Sequence, residues 1–366
     1  MKKFLAFATL ASVALVGCVN DEKMEMTSGA QKISFDNPVM STQTRAVVTG
    51  EIVGADYPET EKFVVYAKQH SKDLTTWAAA SSFWNKNNDD PIIVGKESNY
   101  WEEVNGNDYY WPKASADNIK LSFAAYSPSG LGSVTPTVSY GATGLTVDGF
   151  TVESTVASQI DFMYSERVLN QQRTESAPVN IQFKHALSSI VFSAIEGDSG
   201  ATYKIQAVKI SGSFAQSGKF EEGVADGAIY QNTTGYPKWT PAAGTSTTYQ
   251  PSLAAAFVVP DDKPSLFTGD GTASTEKSAI LAIPQVVPND ATVTITYTRS
   301  STDGDITYTS DPINLKNFKD GSNNTIKQWE IGKRYTYHFQ FGETPKIYFS
   351  PSVLNWIPGG TVSVKI

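Results

Sequence analysis

Ile119-Lys120-Leu121-Ser122-Phe123-Ala124-Ala125-Tyr126-Ser127-Pro128 decides the fold class of this chain. Ile119, Leu121 and Phe123 alternate with other residues at the period of two that places them on one face of a β-strand, which predicts a strand with one buried face. Working outward, the same signal returns at short intervals. Upstream it appears at Val47-Val48, at Glu51-Ile52-Val53 and at Lys62 to Ala67, and downstream at Phe150-Thr151-Val152 and Ile160 to Tyr164. Val179-Asn180-Ile181-Gln182-Phe183-Lys184 alternates cleanly, and so does Tyr203 to Ile210. Phe257-Val258-Val259 and Ala279 to Ile283 follow, after a long Gly/Thr/Pro-rich insertion. Thr292 to Tyr297 and Ile306 to Tyr308 flank Asp303-Gly304, which predicts a hairpin because a tight turn needs positive φ angles. The last signals are Tyr335, Tyr337 and Phe339, then Lys346 to Phe349 stopped by Pro351, then Val353 to Trp356, and finally Thr361 to Ile366. No amphipathic helix longer than two or three turns, no coiled coil and no short-period repeat interrupts the series.

Composition agrees with an all-β chain. Of its 366 residues, 18% are charged and 11% aromatic, and Thr, Ser, Val and Tyr are abundant, which suits half-buried pleated surfaces better than helices. The part beyond residue 45 exceeds what one hydrophobic core usually organises, so two domains are expected. The seam falls in the polar stretch Asn170 to Pro178, giving domains at residues 46–175 and 176–366. A net charge of −8 argues against a nucleic-acid partner, which wants a basic face.

The N-terminus carries an address. Lys2 and Lys3 precede an apolar run from Phe4 to Val16, too short to span a bilayer but suited to a signal peptide. The run ends in Leu15-Val16-Gly17-Cys18, which resembles the lipobox of bacterial lipoproteins, with Cys18 as the lipidated residue and residues 1–18 as signal peptide and lipobox. Cys18 is the only cysteine, so no disulfide forms within the chain. Val19-Asn20-Asp21-Glu22 resembles the acidic surface-export signals of Bacteroidia lipoproteins. In the polar leader, residues 19–45, Ile33 and Phe35 alternate with polar neighbours and read as a short strand closed by Pro38. Thr44-Arg45-Ala46 sets a basic residue in an exposed stretch open to a trypsin-like protease, and no other arginine precedes Arg167.

Catalytic chemistry is not written in the sequence. His70, His185 and His338 have no metal-ligand partner at i+2 to i+4. Asp89-Asp90 and Asp261-Asp262 sit beside prolines, where solvated turns explain them better than paired catalytic carboxylates. Asp303 and Asp305 belong to the hairpin rather than to a calcium loop. No catalytic, cofactor-binding or metal-binding residue is expected, and the chain is not read as an enzyme. Trp77, Phe83 and Trp84 in a loop cover the open end of a sandwich core, or, on a second reading, they join Tyr100 and Trp101 as a monomeric surface lipoprotein's platform for glycan or host protein.

Together these pieces resemble the fimbrillin family of the Bacteroidia, the pilins of type V fimbriae. The matching residues are the lipobox at Cys18, Thr44-Arg45-Ala46, Tyr109-Tyr110-Trp111-Pro112, Leu121 to Pro128, Asp161 to Tyr164, Phe183 to Ser188, Trp329 to Tyr337 and Ile347 to Trp356. The resemblance implies two transthyretin-like β-sandwich domains in tandem, outer-membrane lipoprotein export, and cleavage between Arg45 and Ala46 by an Arg-specific protease. It also implies polymerisation with other pilin subunits by donor-strand exchange into a cell-surface fimbria that supports adhesion. In that mechanism the Ile33/Phe35 strand is displaced, and the alternating Val362, Val364 and Ile366 of residues 361–366 have the length and period of a donor strand, or else form the last strand of their own domain.

Overall fold

In the computed structural model, the residues described are 31–40, 57–74, 77, 80–84, 90–112, 119–173, 178–197, 200–223, 235–251, 253, 255–268, 279–318, 325–342 and 347–355, with backbone pairing alone for 39–40 and 347–355. Among them there is no α-helix; single-turn 3-10 segments lie at Val156–Ser158 and Leu315–Asn317, and Trp77 is also in 3-10 conformation. In chain order the first strands are β1 (Val39–Met40), β2 (Phe63–His70), β3 (Ser81–Ser82), β4 (Ile92–Glu97), β5 (Tyr100–Glu103), β6 (Lys120–Ser127), β7 (Thr137–Gly141) and β8 (Gly144–Thr151). Then come β9 (Met163–Ser165), β10 (Val168–Gln171), β11 (Gln182–His185), β12 (Ser188–Glu196), β13 (Thr202–Phe214), β14 (Ser217–Glu221), β15 (Lys238–Pro241) and β16 (Thr245–Tyr249). The last are β17 (Phe257–Val258), β18 (Ser265–Leu266), β19 (Ile280–Ala282), β20 (Thr292–Ser301), β21 (Gly304–Thr309), β22 (Ile313–Asn314), β23 (Lys333–Phe341) and β24 (Ile347–Asn355). The all-β expectation holds.

The strands make four sheets. A nine-stranded sheet runs β1-β11-β9-β6-β2-β4-β5, with β10 beside β6 and β3 beside β2. A five-stranded sheet, β18-β12-β23-β24 with β19 on β12, has the parallel pair β12/β23 at its centre. A six-stranded sheet runs β16-β13-β20-β21, with β17 on β13 and β22 on β20, and a four-stranded sheet runs β15-β14-β8-β7. Strands from both sides of Asn170 to Pro178 share sheets: β11 pairs β9, and β14 pairs β8.

The stretch on which the fold reading turned differs from expectation in one respect: β6 is buried on both faces. Leu121, Phe123 and Ala125 enter a smaller core with Phe63, Val65 and Trp101, whereas Ala124 and Tyr126 enter a larger one with Tyr140 and Leu145 from β7 and β8. Small residues at positions 122 and 124 concealed the second face, because Ser and Ala carry little hydrophobic signal. The Thr302-Asp303 turn also forms, with Ser301 opposite Gly304, and the positive φ falls on Gly304 at 107°. Two local readings are corrected. The loop expected over Asp73 to Gly95 contains β4, which β2 pairs along Ile92 to Val94. Pro351 does not stop a strand: β24 runs through it, opposite Tyr337. A proline has no N–H to give, and β24 lies at the end of its sheet, where one side of the strand makes no demand for it.

Candidate functional site

The segment of residues 31–40 is a strap laid against the smaller core. Alternation drives it there: Ile33 and Phe35 are 4% and 1% exposed, while Asp36 faces solvent. The strap is bonded along both sides. On one side the Ile33 N–H donates to the Tyr109 carbonyl (2.8 Å), Phe35 exchanges bonds with Trp101 (2.8 and 3.3 Å), and the Trp111 N–H donates to the Gln31 carbonyl (2.9 Å). On the other, the Asp36 N–H donates to the Val179 carbonyl and the Val179 N–H to that of Ser34, both at 2.9 Å, before β1 continues parallel to β11.

The bed beneath the strap is aromatic. The Phe35 ring meets Phe63 and Phe123 edge-on at 6.0 and 5.9 Å, and Tyr57, Trp101 and Phe183 complete the wall around Phe63. Edge-to-face pairs of this kind add about 0.5–1.5 kcal/mol each beyond area burial. Burial of Ile33 and Phe35 contributes roughly 1.5–3 kcal/mol apiece, so the strap is a structural part of the smaller core. Trp101 Nε1 also donates to Asn37 Oδ1 at 3.2 Å.

Charge fixes the start of the strap. Lys32 Nζ lies between Glu102 and Asp108, 2.8 Å from Asp108 Oδ1. Burial opposes the lysine charge, but hydrogen bonds to Asp108 and Glu102 outweigh it and raise the Lys32 pKa; the same bond holds the exposed Asp108 carboxyl below its ordinary value.

The Ile33/Phe35 alternation marks a buried segment, but isolated bridges at Lys32 and Phe35 hold it in place of a continuous strand, and pairing resumes past Pro38 in β1 instead of closing there; its partners Trp101, Tyr109, Trp111 and Val179 were not legible, because pairing between distant segments leaves no local mark. Opposite charge at Lys32, Glu102 and Asp108 was the available signal for the clamp. Cys18, Arg45, Ala46, Val362, Val364 and Ile366 lie outside the described residues. The aromatic loops are mostly core. Trp77, Trp84 and Trp101 are buried and Phe83 is half-buried, so of those five aromatics Tyr100, at 51% exposure, is the exposed one.

The histidines serve the fold. His185 Nδ1 bonds the buried Asp161 carboxylate, His338 Nδ1 bonds Ser193 Oγ with burial lowering its pKa, and His70 Nε2 bonds Ser122 Oγ at 2.9 Å. Among the described residues no cluster of three or more His, Cys, Asp or Glu could hold a metal ion, and no helix is long and apolar enough to cross a membrane.

Residues 44–356 match the sequence model of a family described as fimbrillin-like. No curated protein matches the chain. Among solved structures, a Bacteroides uniformis protein provisionally assigned to cell adhesion is similar, with 13% identity over 91% of this chain and 100% of that one and a TM-score of 0.48. A fimbrial assembly protein from Parabacteroides distasonis shows 11% identity over 88% and 95% of the two chains, with a TM-score of 0.35. The tip fimbrial protein Mfa3 from Porphyromonas gingivalis, C-terminally truncated, shows 8% identity over 89% and 100%, also with a TM-score of 0.35.

Proposed function

This chain belongs to the fimbrillin-like family, and on that premise we propose that it is a structural pilin subunit of a cell-surface fimbria rather than an enzyme. In this reading the chain is exported as an outer-membrane lipoprotein modified at Cys18 and matured by an Arg-specific protease between Arg45 and Ala46. It then polymerises with other subunits by strand exchange. The two transthyretin-like sandwich domains, 46–175 and 176–366, belong to the same reading.

The strap carries the proposal. Ile33 and Phe35 enter the smaller core and residues 31–40 are bonded to it through the backbone, yet their covalent link to the rest runs through residues 41–56, which contain Arg45. A cut there leaves a core strand held by non-covalent contacts alone. Its departure would open an apolar groove between the Trp101/Tyr109/Trp111 edge and the Val179 edge, and open edges recruit strands. A strand supplied by the C-terminal segment of a neighbour, where Val362, Val364 and Ile366 alternate, makes a head-to-tail contact that propagates into a filament.

The test is to incubate the purified precursor with an Arg-specific protease. Loss of the leader with ladders that resist SDS at moderate temperature is the expected outcome. A chain that stays monomeric after clean cleavage at Arg45 would overturn the proposal. Deleting residues 361–366 should then block elongation while leaving the subunit folded; an unfolded subunit would make that segment an ordinary core strand.

A further inference from the structure

β21 ends the six-stranded sheet: one side pairs with β20, and among the described residues no strand lies on the other. Free sheet edges are commonly blunted by proline, lysine, a bulge or a covering segment. β15 and β24, which also end sheets, each contain a proline, and β5 is covered by the bridge from Phe35 to Trp101. β21 reads Gly-Asp-Ile-Thr-Tyr-Thr, with neither proline nor lysine, and keeps an unbroken register on β20 from Gly304 to Thr309. It also leaves a large aliphatic side chain, Ile306, 51% exposed.

The strand is held in place from both faces. Towards the core, Tyr308 stacks on Tyr297 with ring centroids 5.5 Å apart and planes 26° from parallel. On the outer face the hydroxyls of Thr307 and Thr309 bond those of Thr298 and Thr296, each at 3.1 Å. The direction of the free backbone groups follows from the ladder. The Ser310 N–H donates to the Ile295 carbonyl, so the even-numbered residues of β21 turn their backbone groups towards β20. Asp305, Thr307 and Thr309 therefore turn theirs to the open edge. A strand already ordered in this way loses little further freedom on pairing.

We infer that β21 pairs antiparallel with β21 of a second copy about a two-fold axis at Ile306, continuing the sheet across both molecules. Charge selects the register. An axis at Gly304 would set Asp303 against Asp305, one at Asp305 would set that residue against itself, one at Thr307 would set Asp303 against Asp311, and one at Tyr308 would set Asp305 against Asp311. Like charges directly opposite destabilise a strand pair. With the axis at Ile306, Asp305 faces Thr307, Asp303 faces Thr309 and Asp311 faces Ser301. Tyr308 then lies against Gly304, where no side chain stands in its way. The two Ile306 side chains meet at a non-hydrogen-bonded pair, the kind in which side chains come closest, while Asp305 and Thr307 exchange backbone bonds across the seam. One arrangement thus covers the exposed isoleucine and satisfies the outward backbone groups. The contact is isologous and closes at two copies, so it is separate from the head-to-tail contact of strand exchange and does not depend on it.

Sedimentation velocity over a concentration series tests this on the uncut chain from residue 19 onward, so that neither Cys18 nor cleavage at Arg45 contributes. A monomer–dimer equilibrium is expected. Ile306→Lys should weaken it by about 10-fold or more, because two apolar side chains are replaced by opposed charges. Thr307→Pro should abolish it and, because the Thr307 N–H faces the open edge, leave the circular dichroism of the fold unchanged. Ile306→Cys, given oxidised glutathione as electron acceptor, should form a disulfide-linked dimer, since opposed residues of such a pair lie within disulfide reach. Asp305→Cys and Thr307→Cys should lag well behind. A chain that stays monomeric throughout the series, or a dimer that both Ile306→Lys and Thr307→Pro leave intact, overturns the inference. Faster cross-linking of Thr307→Cys than of Ile306→Cys overturns the assigned axis.

Discussion

The two cores of this molecule are both aromatic, yet they are closed in different ways and keep their charge in different places. The smaller one, around Phe63, Trp101 and Phe123, is closed by the strap of residues 31–40, with the Lys32, Glu102 and Asp108 charges at its rim. The larger one, around Phe192, Trp329 and Tyr337, draws its members from residue 64 onward and holds ionisable groups inside. There Arg167, 1% exposed, stacks on Trp77 and Tyr140 and donates to the Tyr140 hydroxyl and the Gly141 and Ala142 carbonyls. Glu222, 2% exposed, accepts from the Leu145 N–H, and its carboxylate stands where a Cβ on Gly144 would lie, so the β7–β8 hairpin needs glycine at that turn. The smaller core thus depends on a short segment from outside the larger one, whereas the larger core depends on keeping its buried charges partnered, because a buried charge left unpaired is costly.

Three substitutions sharpen that contrast. Phe35→Ala should have the largest effect, destabilising the uncut precursor by about 3–5 kcal/mol through loss of a buried ring. Equilibrium denaturation measures it. After a cut at Arg45 the same change should appear as spontaneous release of the leader fragment; an effect below about 1 kcal/mol would mean that the ring does not hold the smaller core together.

Glu222→Gln acts on the larger core. Burial pushes the Glu222 pKa up to about 7, with the Leu145 N–H, Arg167, Tyr140 and Lys184 opposing. Its folded value is raised, so the folded state holds a proton that the unfolded chain has lost, and this group's contribution to stability falls as pH rises from about 4.5 to 7. Across that window the wild type should lose about 3 kcal/mol that the Gln variant keeps. Urea midpoints measured from pH 4 to 8 give the difference; parallel curves for the two proteins would place the Glu222 carboxyl in a solvated setting.

The smallest effect belongs to the rim. Lys32→Met should cost about 0.2–1 kcal/mol, and the loss should shrink as salt rises because the clamp is part-exposed. A salt-independent loss would instead point to packing of the lysine stem.

Alternation at Ile33/Phe35, Leu121/Phe123 and Ile181/Phe183 made three segments of the smaller core readable, and Asp303-Gly304 made a hairpin readable. The same logic misjudged Pro351, because proline's effect depends on whether a strand lies at an edge, and it missed the second buried face of β6, because that face is lined with small residues. It placed Trp77 and Trp84 in the core, but could not separate the neighbours Trp101 and Tyr100, one buried and one exposed.

By itself, then, the sequence determined the all-β character and the hairpin at Asp303-Gly304, since these depend on residue type and local period. Tertiary structure alone decided that the segment of residues 31–40 lies between Trp101 and Val179, that its lysine meets Glu102 and Asp108, and that strands on both sides of Asn170 to Pro178 share sheets. The reason is physical. A strand's periodicity is written in its own side chains, but its hydrogen-bond partners are set by whichever edges the rest of the chain leaves open.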